Sequence, residues 1–237
     1  MPTLTHFTLC PHSRSIRLAL GELGIAVELV EERPWEWTQA LLTLNPSGDL
    51  PALQMDDGLV LCGSYAISEY LAVPPAAGPA EPGDANVPRT LPLYPGTAAE
   101  RAEVRRLVDW FHGKLHREVT VPLLELLVIP MFKGTAQVAP DTDVLRAARA
   151  NLAYHMSYVA WLADQRNWLA GNELSFADLA AAAHLSCLDY LGEIAWDRFP
   201  AAKTWYQRLK SRRAFQPLLA DRVPGRPPAA LYAELDF

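Results

Sequence analysis

The sequence predicts an α/β N-terminal domain followed by an all-α C-terminal domain. Over residues 1–73, short apolar segments with strand-like alternation are interleaved with segments of helical spacing. Seven prolines then lie between positions 73 and 96, and a segment so rich in proline cannot form a helix or a central strand. Apolar residues return with helical spacing after it. We therefore expect domains at 1–73 and 97–215, a proline-rich linker at 74–96 and an extended tail at 216–237.

The predicted elements of the N-terminal domain alternate between strand and helix. Strands are expected at 3–9 and 26–30, helices at 14–23 and 35–42, then a hairpin of strands at 51–55 and 59–62 and a third helix at 64–71. A right-handed crossover would place the second strand beside the first. Trp35 and Trp37 are so close in sequence that both cannot easily be buried, so we expect one of them to form a contact surface.

The hairpin and the helix after it form the most informative stretch. Pro51 opens the first hairpin strand after a turn, where cis peptide bonds recur, and a cis Leu50–Pro51 bond would expose the backbone of Leu50. Gly63 ends the second strand, and Ser64 is predicted to be the N-cap of the next helix. Free N–H groups at that helix start form a small anion-binding end. We therefore predict a binding site here.

The run Asn-Pro-Ser-Gly-Asp-Leu-Pro-Ala-Leu at 45–53, the Asp-Gly turn of the hairpin and the serine at the next helix start resemble the glutathione site of the glutathione S-transferase superfamily. The resemblance implies a thioredoxin-like N-terminal domain and an all-α C-terminal domain. It also implies that the residue before the cis proline pairs with the glutathione backbone, and that a Glu/Gln-Ser pair holds the glutamyl end. Here that pair is Gly63-Ser64, which lacks the first side chain. We interpret Leu50, Pro51, Gly63 and Ser64 as a vestigial site, with glutathione at most a weak ligand.

Cys10 and Ser13 are the candidate nucleophiles, because both lie near the turn from the first strand to the first helix. A helix N-terminus lowers the pKa of a thiol, and glutaredoxin-like and omega-like transferases place their cysteine there. The alternative is that Cys10 only fills the turn and that Ser13 only caps the helix. We expect no catalytic residue, with Cys10 or Ser13 acting if the protein is an active transferase.

Charge and composition argue against a nucleic-acid partner and against a membrane-spanning segment. A formal net charge of -6 argues against nucleic acid, and no apolar run approaches the roughly 20 residues of a membrane span. The first nine residues lack the basic start and long apolar core of a signal peptide, so we expect a cytoplasmic protein. Three widely separated cysteines indicate neither a disulfide framework nor a zinc site.

The C-terminal domain is predicted to contain helices around 104–115, 145–162 and 201–213, and a further apolar helix that begins with Ser175 and Asp178 as a capping box. His112 and His116 could share a helix face as metal ligands do, but no acidic residue or cysteine nearby completes a ligand set, so we expect no metal. His155 and His184 lie in apolar helices and are expected to be hydrogen-bonded core residues.

The tail, with the sequence at 188–196, the Trp205-Tyr206 helix and the run Leu-Ala-Asp-Arg-Val-Pro-Gly at 219–225, resembles a subfamily of bacterial cell-division proteins within the same superfamily. The resemblance implies a homodimer that binds FtsZ filaments at the division site, without known conjugation chemistry, through the tail around Asp221 and Arg222. Four prolines after residue 216 predict an extended tail that presents both charges outward. The alternative function is an active glutathione S-transferase or thiol transferase.

Overall fold

The computed structural model describes residues 1–73 and 92–236, and its N-terminal domain is built on a four-stranded sheet. The strands are β1 (Thr3–His6), β2 (Glu28–Glu31), β3 (Ala52–Gln54) and β4 (Val60–Cys62), in the order β2-β1-β3-β4. β1 and β2 are parallel, with Thr3 opposite Glu28, whereas β3 runs antiparallel to β1 and β4. The predicted crossover and hairpin are confirmed, although each strand is shorter than its apolar run.

Three helices complete this domain: α1 (Pro11–Glu22), α2 (Gln39–Leu44) and α3 (Ser64–Ala72), with a short 3-10 turn at Pro34–Glu36. α1 begins three residues earlier than predicted, because Pro11 suits the first helical position and Cys10 is the N-cap. Ser13 therefore lies inside the helix, and the prediction that it caps α1 is wrong. The N-cap of α3 is likewise Gly63 rather than Ser64.

The regular elements of the C-terminal domain are helices, which loops connect. Its helices are α4 (Ala98–Asp109), α5 (Val121–Leu127), α6 (Ile129–Phe132), α7 (Thr142–Gln165), α8 (Phe176–Tyr190) and α9 (Pro200–Lys210), and a π-helical segment, Trp110–Thr120, joins α4 to α5. α8 is buried along its whole length, and the predicted capping box of Ser175 and Asp178 is present at its start. α1 packs directly on α8, so the core continues between the two domains. The predicted fold class is confirmed.

The last described residues are not the extended tail that the prolines predict. Residues 216–219 form a short helix, α10 (Gln216–Leu219), and Tyr232 near the end of the chain is fully buried. Its hydroxyl donates to the carbonyl of Leu218 at 2.8 Å. Proline removes the N–H of a residue but does not prevent side chains from anchoring a segment, which is why the prediction was wrong. The predicted linker falls largely on residues 74–91, outside the described residues. No described helix has the length and apolar character of a membrane span.

Candidate functional site

A cleft of about 850 Å³ separates the N-terminal domain from the first helices of the C-terminal domain. One wall is formed by the start of α1, the 3-10 turn, the loop before β3 and the start of α3; the other wall contains His116, Val121, Leu124, Glu125 and Ile129. The structure brings Cys10, Leu50, Gly63 and Ser64 together in this cleft, as the sequence predicts. Most of its lining is apolar, so the cleft is suited to an apolar or amphipathic group.

Cys10 lies in the cleft with its Sγ atom 4.0 Å from the carbonyl oxygen of Leu50. Burial raises the pKa of the Cys10 thiol, and the Ser13 hydroxyl, together with the backbone amides of Ser13 and His12, only partly opposes this effect. The prediction of a lowered pKa is therefore wrong, because the helix N-terminus was considered without the protein that surrounds it. A protonated thiol is a poor nucleophile at neutral pH.

Ser13 does not reach the cleft. Its side chain is fully buried and absent from the cleft lining, and its hydroxyl acts on the Cys10 thiol, whose pKa it lowers. A hydroxyl in this position cannot meet a substrate carried in the cleft without a rearrangement of α1.

The predicted glutathione end has the backbone features that the resemblance implies but lacks one side chain. The Leu50–Pro51 bond is cis, as predicted. Ser64 is buried at the first position of α3. Gly63 has φ of +83°, and a Cβ atom there would meet nothing within 4 Å. The open space shows that a side chain could fit, but the backbone conformation favours glycine. The anchor for an amino group is therefore absent.

The two tryptophans beside the cleft differ as expected. Trp35 packs edge-on against Phe7, with ring centroids 5.0 Å apart, whereas Trp37 is 62% exposed. Trp37 also has a positive φ of 49°, which is uncommon outside glycine. Its ring lies over Gly48, where an added Cβ would come within 2.8 Å of it. An exposed tryptophan held in this way offers a rigid contact surface.

Asp221 is not presented outward. Its carboxylate accepts hydrogen bonds from Arg14 Nη2 at 3.0 Å and from both terminal nitrogens of Arg17 at 2.8 and 2.9 Å, and its side chain is only 11% exposed. The prediction that both members of the Asp-Arg pair face solvent is wrong for Asp221, because two arginines of α1 need a buried counter-charge. Arg222 is exposed, and its guanidinium donates to the carbonyls of Leu219 and Asp221.

Arg14 is the centre of this arrangement, which we call the tail clasp: Arg14, Arg17, Ser186, Asp221 and Tyr232. Arg14 is fully buried and donates to the Thr8 carbonyl, to Ser186 Oγ at 2.8 Å and to the Tyr232 hydroxyl at 3.1 Å, besides Asp221. The clasp thus joins α1, α8 and the tail. Sequence reasoning missed Arg14 and Arg17; the available signal was two arginines that alternate with the apolar residues Ile16, Leu18 and Leu20 of α1.

A second group missed from sequence is the histidine cluster: His12, His112, His116 and His184. His112 Nδ1 lies 3.1 Å from His184 Nε2, and the rings of His12 and His116 have centroids 4.4 Å apart. Burial lowers the pKa values of His112 and His184 well below the usual range. His184 and His155 are hydrogen-bonded core histidines, as predicted. His12 and His116 line the cleft, so the cluster reaches its floor.

Known proteins match this chain over both domains. Residues 4–76 match the family model of the glutathione S-transferase N-terminal domain, and residues 119–213 match that of the C-terminal domain. FtsZ-localized protein A of Caulobacter vibrioides is 44% identical, over 99% of this chain and 98% of that protein. A glutathione S-transferase structure from Sinorhizobium meliloti 1021 has a TM-score of 0.89 at 46% identity, covering 100% of both chains. The structure of FzlA from C. crescentus has a TM-score of 0.89 at 43% identity, covering 100% of this chain and 99% of that one.

Proposed function

The chain belongs to the glutathione S-transferase family, and from this premise we propose that it is a non-catalytic member that binds FtsZ filaments as a homodimer. In this role it would shape or bundle filaments at the division site in the cytoplasm. The observation that carries the proposal is the 44% identity to FtsZ-localized protein A, which extends over 99% of the chain and so includes the tail.

The geometry of the cleft supports a binding role over conjugation. Glutathione would find the cis Pro51 turn and Ser64, but no side chain at Gly63 to hold its amino group. The Cys10 thiol has a raised pKa and is a poor nucleophile at neutral pH, and Ser13 does not line the cleft in which a substrate would lie. A lost charge-assisted contact weakens binding by roughly 1.5–3 kcal/mol.

We place the filament contact on the tail around Arg222. Arg222 is exposed, whereas Asp221 is turned inward, so the two residues would have different roles. Arg222 would meet the partner directly. Asp221 would act through the tail clasp by fixing the path of the chain beneath Arg222. An anchored segment binds with a smaller loss of conformational entropy than a free one.

The proposed dimer would use α3 and α4. Tyr65 and Tyr70 on α3 are 43% and 41% exposed. The ion pair between Arg105 on α4 and Glu69 on α3 holds the two helices side by side. A two-fold axis would present the same patch of each subunit to the other. Two copies of a weak site can then engage a repeating filament with an avidity that neither has alone.

Sedimentation with assembled FtsZ filaments tests the proposal. The Arg222→Glu variant is expected to remain in the supernatant while keeping its melting temperature, because the hydrogen bonds of the Arg222 guanidinium within the described part of the chain go only to backbone carbonyls of the tail. Arg146→Glu on α7, where Arg146 is 78% exposed, is the matched control and should pellet normally. Normal pelleting of Arg222→Glu would exclude Arg222 as the contact. Light scattering that reports a monomer near 26.2 kDa would contradict the dimer.

The alternative is an active glutathione S-transferase or thiol transferase that uses Cys10. It is favoured by one observation, the position of Cys10 at the N-terminus of α1 within a cleft of about 850 Å³. Replacing Cys10 with Ala separates the two functions. Loss of function in a folded Cys10→Ala protein would favour the enzyme, whereas unchanged filament binding favours the binding protein.

A further inference from the structure

We propose that the histidine cluster is a binding site for a divalent transition-metal ion of the zinc class, held by His12, His112 and His184. One ring nitrogen of each of these residues lies within 4.8 Å of the others. The three residues come from α1, the π-helical segment and α8, so a bound ion would join the two domains at the floor of the cleft. Imidazole nitrogen is a preferred donor for zinc, copper and nickel ions.

The spacing of the two buried ligands fits such an ion closely. His112 Nδ1 and His184 Nε2 are 3.1 Å apart. Two nitrogens bound at ~2.05 Å to one tetrahedral ion are separated by ~3.3 Å. A ring nitrogen of His12 lies within 4.8 Å of the other two, about 1.5 Å beyond that separation, so His12 must shift or turn to bind the ion. It lies on the cleft wall and is only partly buried, so its ring has space to move.

The outer hydrogen bonds of His12 and His112 match those of metal ligands. Ser15 Oγ donates to the His12 carbonyl, so it accepts from His112 Nε2 at 3.2 Å and leaves the lone pair of His112 on Nδ1. His12 Nε2 donates to the His112 carbonyl at 3.2 Å, which leaves its lone pair on Nδ1. Metal-bound histidines almost always donate their second ring nitrogen to such a partner.

His184 needs only a shift of its own proton. Without an ion, His184 Nε2 donates to His112 Nδ1, and its Nδ1 accepts from Thr120 Oγ1 at 2.8 Å. With an ion, the proton moves to Nδ1 and Thr120 Oγ1 becomes the acceptor, so the ring remains neutral and no proton is released.

His116 lies where it can complete or shield the site. Its ring is 4.4 Å from that of His12 and 5.5 Å from that of His184. Its Nδ1 is buried and has no hydrogen-bond partner among the described residues. Three histidines leave one of four tetrahedral positions open, and His116 or a water from the cleft would fill it.

Titration of the tag-free, full-length protein with Co²⁺ tests the site. We expect one Co²⁺ per chain, intense visible absorption of a tetrahedral complex, displacement by Zn²⁺ and a rise in melting temperature with either ion. Thr120→Val removes a hydrogen-bond partner of a ligand and should weaken Co²⁺ affinity by roughly 10- to 100-fold. His12→Gln removes a ligand on the open side of the cluster and should weaken Co²⁺ affinity by more than that.

His155→Gln is the matched control, since His155 is also a buried histidine but bonds to Trp110 and Glu118 instead of the cluster. It should bind Co²⁺ as the wild type does. Circular dichroism identifies any variant that fails to fold, and His12→Gln is preferred for the decisive comparison because His12 is the least buried ligand. Binding only at millimolar Co²⁺, a weak octahedral spectrum or unchanged affinity in folded His12→Gln would each overturn the proposal and leave a purely hydrogen-bonded core.

Discussion

The tail clasp and the glutathione end of the cleft use their polar groups in opposite ways. In the clasp, the fully buried Arg14 donates to Thr8, Ser186, Asp221 and Tyr232. At the glutathione end, Gly63 contributes no side chain to the site. A buried polar network in which every group is hydrogen-bonded fixes one arrangement of the chain. A pocket that lacks one of its polar contacts binds its ligand weakly. The difference supports the proposal that the C-terminal segment, rather than the pocket, recognises the partner.

Breaking the clasp should produce the largest effect. Asp221→Asn removes the counter-charge of Arg14 and Arg17, and loss of one partner of a buried ion pair costs about 3–5 kcal/mol. Urea unfolding measures this loss. Asp143→Asn is the matched control, because Asp143 and Arg146 are 79% and 78% exposed and such pairs contribute about 0–1 kcal/mol. Equal stability of the two variants would mean that the clasp does not hold the tail.

Acid should weaken the protein through His6, which lies beside the clasp. Burial and Arg17 lower the pKa of His6 to about 4, with Arg14 acting in the same direction and Asp221 and the Phe7 backbone opposing them. Glu31 lies 3.5 Å from its Nε2. Between pH 6.5 and about 4 the unfolded chain binds the extra proton, so the stability from neutral His6 is full above pH 6.5 and is lost as the pH falls through this range.

The expected loss from His6 is about 1.4 kcal/mol per pH unit, or on the order of 3 kcal/mol in total. Urea unfolding at pH 7, 6 and 5 gives the free energy of unfolding of the wild type and of His6→Gln at each pH. The free energy of the wild type should fall more steeply with decreasing pH, by the slope that corresponds to uptake of one proton on unfolding. Parallel curves for the two proteins would show that His6 does not carry the effect.

A side chain restored at position 63 should raise the affinity of the cleft for glutathione. Wild-type glutathione affinity is expected to be weaker than low micromolar, and Gly63→Gln should improve it by about ten- to hundredfold, equivalent to roughly 1.5–3 kcal/mol. Gly58→Gln is the control, because Gly58 has a similar φ of +89° and equally open surroundings but lies in the hairpin turn. Isothermal titration measures both. Low-micromolar binding by the wild type would contradict a vestigial site.

Local patterns in the sequence predicted much of the fold but not its long-range polar contacts. The cis Pro51 turn, the capping box at Ser175 and the buried face of Val104, Leu107 and Phe111 are all encoded within a few residues. Arg14 and Asp221, in contrast, are 207 positions apart, and periodicity carries no information on such a pair. The tail was therefore predicted to be extended although it is anchored.

The electrostatics of the cleft were mispredicted for the same reason. The helix N-terminus at Cys10 is a local feature, whereas the burial that raises the pKa of its thiol comes from the assembled domains. His12 and His112 are 100 residues apart and His112 and His184 are 72 apart, so a search for nearby ligands around His112 could not find them. A site built from several elements becomes visible only when these elements are packed.

The proposed binding role is tested by co-sedimentation with assembled FtsZ filaments, in parallel for the wild type and Cys10→Ala, with and without saturating glutathione. We expect both proteins to pellet with the filaments to the same extent and glutathione to change neither result, because the proposed contact is on the anchored tail and not in the cleft. Wild-type protein that stays in the supernatant would exclude filament binding. Pelleting that requires Cys10 or glutathione would instead assign the function to the cleft.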